Sequence, residues 1–186
     1  MRELIAQDLL GEVTSRVLNR LEGLTDDEYL WEPVADCWSV RPSSDGRWLP
    51  DVGPRGSPFT DATPAPFTTI AWRMWHMGAS PNAPWPPLDA ADGPAFVHAY
   101  MNPSLASEAV PDAGTACALL DSHWTAFNER ILRFSDSELE APLGPAAGPY
   151  ADAPLVGLLL HIVDEMIHHG AEFGVLRDLY AHRPLT

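Results

Sequence analysis

An all-α domain spanning residues 1–186, an up-down four-helix bundle with two long proline-rich connections, is the fold class that this sequence predicts. Three observations predict it. Apolar residues recur at helical spacing in four separate segments. Most of the prolines fall between those segments. No convincing set of alternating strands competes. A chain of 186 residues suits one domain and buries a core without needing staples.

The first helix is expected from Arg2 to Glu22, with a stripe of Ile5, Leu9, Leu10, Val13, Val17 and Leu21. Its start, MRELIAQDLLGEV, carries acids among the apolar residues and lacks the apolar run of a signal peptide. Trp31 to Pro66 then holds seven prolines, and Asp45-Gly46 between Trp38 and Trp48 could turn a short hairpin. The second helix is expected from Thr68 to Ala79, opened by threonines and stopped by Ser80-Pro81. Ser80 to Pro111 is the second proline-rich connection, with a short helix near Ala95–Tyr100. Gly114 to Phe134 is the third helix, its seam running Leu120, Trp124, Phe127, Ile131 and Phe134. The fourth runs without proline from Ala153 or Pro154 to Tyr180. Seven tryptophans, Trp85 among them, argue that the connections pack over one end of the bundle. An internal echo, LTDDEYLWEP and FSDSELEAP, puts a capping-box pattern after the first and third helices.

The net charge of −15 argues against a nucleic-acid partner and against an anionic membrane surface. No apolar run approaches a membrane span. Cys37 and Cys117 share no metal spacing and do not read as a disulfide framework, so a reduced, cytoplasmic setting suits them as buried small hydrophobes.

The fourth helix carries the chemistry. Leu155, Leu158, Ile162, Met166, Phe173 and Leu176 fall on one face at about 100° per residue. His169 lies in the middle of that face and Glu165 just beside it, while His161, His168 and Glu172 lie on the flank. A carboxylate and an imidazole one turn apart are thus aimed into an apolar core. A buried carboxylate without a partner is costly. A metal ion held by both accounts for the pair, and an internal hydrogen-bonded pair is the alternative. A third ligand must come from another element. His76, late in the second helix, is the best placed of the seven histidines, and His123 borders the core face of the third helix. Two histidines and one carboxylate with open positions suit zinc, ferrous iron or nickel. His168 points away from the pair and is expected on the flank, exposed or bonded to a loop. Glu172 is either an outer acceptor or a surface acid.

The run His161-x3-Glu165-x3-His169, followed by Gly170, Ala171 and Glu172, with WRMWHMG upstream, resembles the DinB-like superfamily of four-helix proteins. It is similar in particular to the branch that includes mycothiol-dependent maleylpyruvate isomerase and related thiol S-transferases. The resemblance spans almost the whole chain. It implies a metal bound by His76, Glu165 and His169, with zinc first and nickel or iron as alternatives. It further implies a low-molecular-weight thiol such as mycothiol as cosubstrate, a small-molecule substrate and a homodimer. A metal-dependent transferase or isomerase is therefore the leading expectation, with His161 or His123 as the catalytic proton carrier. A metal-dependent hydrolase and a non-catalytic metal-stabilised binding bundle are the alternatives.

Overall fold

The computed structural model describes residues 2–53, 63–82, 93–101 and 107–184. The first helix opens as a wide π-helical segment, Leu4–Gly11, and continues as α1, Glu12–Leu21. Ile5, Leu10, Val17 and Leu21 are buried as the stripe requires, but Leu9 is exposed. The i→i+5 repeat of a π segment turns each residue less far round the axis than an α-helix does, so the 100° spacing fails there.

Each of the two echo motifs starts a short helix. In α2, Asp26–Tyr29, Thr25 Oγ1 accepts from Glu28 N at 3.3 Å. The proline-rich connection then forms a hairpin, β1 (Val40–Pro42) against β2 (Trp48–Pro50), antiparallel, with Gly46 at φ 85° in the turn. A positive φ favours glycine, and Asp45-Gly46 supplies it where expected. The second long helix, α3, covers only Ile70–His76. Thr69 rather than Thr68 is its cap, accepting from Trp72 N at 3.2 Å, and the chain turns off at Met77 and Gly78. Then come α4 (Gly93–Met101) and α5 (Ala113–Arg133, capped by Asp112). In α6, Asp136–Glu140, Ser135 and Glu138 close a full capping box. A 3-10 turn at Pro145–Tyr150 leads into α7, Leu155–Ala181. Trp85 and the stretches 54–62 and 83–92 lie outside the described residues.

The described chain is predominantly helical, with the hairpin as its one two-stranded sheet among the described residues. Four long elements surround one core of Leu10, Met74, Phe96, Trp124, Phe127 and Phe173. Their directions follow from which residues meet. Gly170 and Gly174 of α7 lie against Val17 and Arg20 of α1, so those two helices run the same way. Arg73 and His76 of α3 meet Glu172 and Glu165 of α7 in reverse order. Arg2 donates to the Phe134 carbonyl at the end of α5, while Asp26 accepts from Ala113 N at its start, so α5 opposes α1. The order is therefore up-down-down-up, and the simple alternation expected from the sequence fails at the middle connection. That connection, from Met77 to Asp112, returns the chain to the end of the bundle where α3 began, as long crossovers do. Among the described residues no helix is long and apolar enough to cross a membrane.

Candidate metal centre

The antiparallel run of α3 beside α7 brings His76 to Glu165 and His169. His76 is held by its own helix. The Trp72 ring, one turn earlier, stacks on the imidazole with centroids 5.1 Å apart and planes 13° from parallel. Trp72 Nε1 in turn donates to the Asp51 carbonyl at 2.7 Å, which ties the ring to the end of the hairpin. The His76 and His169 rings meet edge to face at 5.0 Å. Glu165 Oε2 lies 3.8 Å from His76 Nε2 and 3.3 Å from His169 Nε2. One donor atom from each of the three residues lies within 4.8 Å of the other two. Donor atoms on a four-coordinate zinc stand roughly 3.4 Å apart, so the spread needs only small side-chain adjustments.

Charge states suit a cation. The His76 imidazole, with the His169 and His161 rings, holds the Glu165 carboxyl down to about 2 against the opposing pull of partial burial. Burial, with the nearby His76 and Arg73, pushes His169 down to about 4. At neutral pH this is an ionised carboxylate facing a neutral imidazole, the forms that ligate metals. The pair is not sunk in the core as the helical face implied. The Glu165 side chain keeps 24% of its exposure and His169 keeps 12%. Because α3 stops at His76, no further turn of it covers this end of the pair.

Glu172, undecided from sequence, has a definite position. Its Oε2 is 2.6 Å from His169 Nδ1 and is ion-paired with Arg73 Nη1. Arg73 carries no motif signal of its own, yet the i,i+3 spacing to His76 on one short helix places it on the same side. Its side chain is largely buried, and its Nε has no hydrogen-bond partner among the described residues. Burial lowers its pKa to about 10, which leaves it charged at neutral pH. His168 is exposed on the flank as expected, its ring stacked on His169 at 4.8 Å and its Nε2 3.5 Å from Glu172 Oε1. His168, His169 and Glu172 thus form a second possible ligand group that shares His169 with the first.

His161 stands at the rim, half exposed, with Nε2 3.9 Å from Glu165 Oε1. His123 is engaged elsewhere, its Nδ1 2.6 Å from the Gly78 carbonyl just beyond α3. Tyr100 of α4 is also near: burial, and then the Glu165 charge, push its phenol pKa up. Cys37 is buried and Cys117 half-buried, both free, and burial raises both thiols.

A family model described as the DinB superfamily matches residues 9–173, which takes in every residue of both ligand groups. No curated protein and no solved structure matches the chain.

Proposed function

We propose that this chain, which belongs to the DinB superfamily, is a metal-dependent transferase that joins a low-molecular-weight thiol, such as mycothiol, to a small electrophile. The observation that carries the metal half of this reading is the convergence of two imidazole Nε2 atoms on one carboxylate oxygen at a half-open edge of the core. His76, Glu165 and His169 would hold a divalent ion, zinc first, with nickel or iron as alternatives. Such an ion, when bound, supplies Lewis acidity that lowers the pKa of a ligand thiol or water.

The thiol half rests on the resemblance to the isomerase branch. It is consistent with the state of the chain's own cysteines, whose burial favours the protonated thiol over the reactive thiolate. His161, half exposed and 3.9 Å from Glu165 Oε1, would pass the thiol's proton to solvent. His123 would act only after releasing the Gly78 carbonyl. Three protein ligands leave room for an incoming group, whereas a structural zinc site is usually closed by four.

The test is spectroscopic. Protein purified without a metal-chelating tag is analysed for metal, then loaded with cobalt and titrated with small thiols. A sulfur-to-metal charge-transfer band is expected that needs His76, Glu165 and His169 but neither cysteine. A cobalt-loaded protein that ignores thiols but answers hydroxamates would move the reading to metal-assisted hydrolysis. One that answers neither would be a metal-stabilised binding bundle.

A further inference from the structure

His169 belongs to two ligand groups, and its two ring nitrogens serve different ones. Nε2 faces Glu165 and His76, while Nδ1 faces Glu172, with His168 alongside. An ion could in principle settle in either. The difference between them is Arg73, whose guanidinium already sits on Glu172 Oε2. Its side chain is 11% exposed and its Nε is buried unpaired among the described residues, a placement that a packing role alone leaves unexplained. The Phe67 ring, 5.9 Å from the guanidinium carbon, flanks it.

We infer that Arg73 is a positioning residue that selects between the two groups, its fixed cation occupying the Glu172 side so that an added metal ion is confined to His76, Glu165 and His169. Glu172 completes the device by accepting a proton-bearing Nδ1 of His169. A hydrogen bond of 2.6 Å to Glu172 outcompetes the 3.3 Å approach of Nε2 to Glu165, so the proton stays on Nδ1 and the Nε2 lone pair faces His76. A second cation beside Glu172 would meet the guanidinium's charge at close range in a partly buried setting, where Coulomb repulsion is strong. The inference rests on the metal reading above for its selection step, but the tautomer step holds in the metal-free protein.

Two experiments test it. The first is nitrogen-15 NMR of the histidine rings in the metal-free wild-type protein. His169 should carry its proton on Nδ1, and Glu172→Ala should shift it toward Nε2. A wild-type Nε2–H tautomer would overturn the role of Glu172. The second measures zinc affinity by chelator competition in Arg73→Lys and Arg73→Met, each checked for folding by circular dichroism. Lysine keeps the charge, so His168→Ala should leave its affinity unchanged, as in wild type. In Arg73→Met, His168→Ala should weaken zinc by roughly tenfold or more, the scale of losing a metal-supporting group. If His168 stays irrelevant in Arg73→Met while His76→Ala still abolishes binding, Arg73 does not select. Wild-type protein that binds no zinc yet shows the Nδ1–H tautomer would sink the metal reading and the selection step together, and leave the tautomer step standing.

Discussion

Glu165 and Glu172 are the same side chain on one helix, two turns apart, and they have opposite surroundings. Glu165 meets imidazoles: His169 at 3.3 Å, His76 at 3.8 Å and His161 at 3.9 Å. His169 is no counter-charge at neutral pH, because it is pushed down to about 4. Glu172 meets a guanidinium and one ring nitrogen at 2.6 Å, and its charge is already answered. A carboxylate ringed by imidazoles offers a candidate ligand group. A carboxylate clamped by arginine is a fixed support. Position on the helix does not separate the two; the residues that α3 delivers opposite them do.

Replacing each glutamate is the harshest way to break this contrast. Glu165→Ala should abolish binding of one zinc per chain, as should His76→Ala and His169→Ala, measured by elemental analysis of tag-free protein. Glu172→Ala should weaken it by roughly 10- to 100-fold without abolishing it. Equal losses at the two positions would end the distinction between ligand and support. His168→Ala in the otherwise wild-type chain should change little.

Close packing behind the site gives the next largest effect. A Cβ at Gly170, next to His169, would run into the Val17 side chain where α1 and α7 lie together. Gly170→Ala should cost about 1–3 kcal/mol of stability in urea unfolding, as overpacking does. An unchanged midpoint would mean the two helices can part there freely.

Chelation should lower the melting temperature while far-UV helicity persists, since the apolar stripes do not depend on the ion. Calorimetry with and without chelator checks this, and an unchanged melting temperature after proven metal loss would favour a pair that satisfies itself.

Acid should probe Glu165 and His169 more gently, in the metal-free protein. His169 has a folded pKa of about 4 against an ordinary 6.5, so the unfolded chain binds its proton first as pH falls. Glu165 has a folded pKa of about 2 against 4.5, with the same ordering. In both windows the unfolded state holds more protons, so stability falls as pH falls: from about 6.5 to 4 through His169 and from about 4.5 to 2 through Glu165. Urea midpoints should show the upper window vanish in His169→Gln and the lower one in Glu165→Gln. A flat pH profile in wild type would contradict both assignments.

Much of this molecule was legible in the chain. The third and fourth helices match the expected spans within about two residues, because long periodic stripes leave little choice. The hairpin turn followed from Asp45-Gly46. His76, Glu165 and His169 come together as the family pattern implied. What escaped depends on distant partners. The echo motifs look alike in sequence, but only Ser135–Glu138 closes both ways; the Glu28 carboxylate is drawn off by Arg177 at 2.9 Å from the far end of α7. Glu172 looked like a flank acid because a helical wheel cannot include the arginine that α3 brings to it. Helix direction was hidden in a connection whose length alone does not say which end of the bundle it reaches.

The hairpin segment has a bearing on how such a protein can diversify. Trp38 N donates to the Phe67 carbonyl at 2.8 Å and Thr69 N to the Trp38 carbonyl at 2.9 Å, while Trp72 Nε1 holds the Asp51 carbonyl. Asp51, just before the stretch from 54 to 62, is therefore moored to the first turn of the helix that carries His76, and Trp38 is moored to its cap. Lengthening a tethered stretch costs little, about 0.6 kcal/mol per doubling of a flexible loop. The sequence between the moorings can be rewritten, lengthened or exchanged while His76 stays where the moorings hold it, so the connection and the placement of this imidazole can evolve separately.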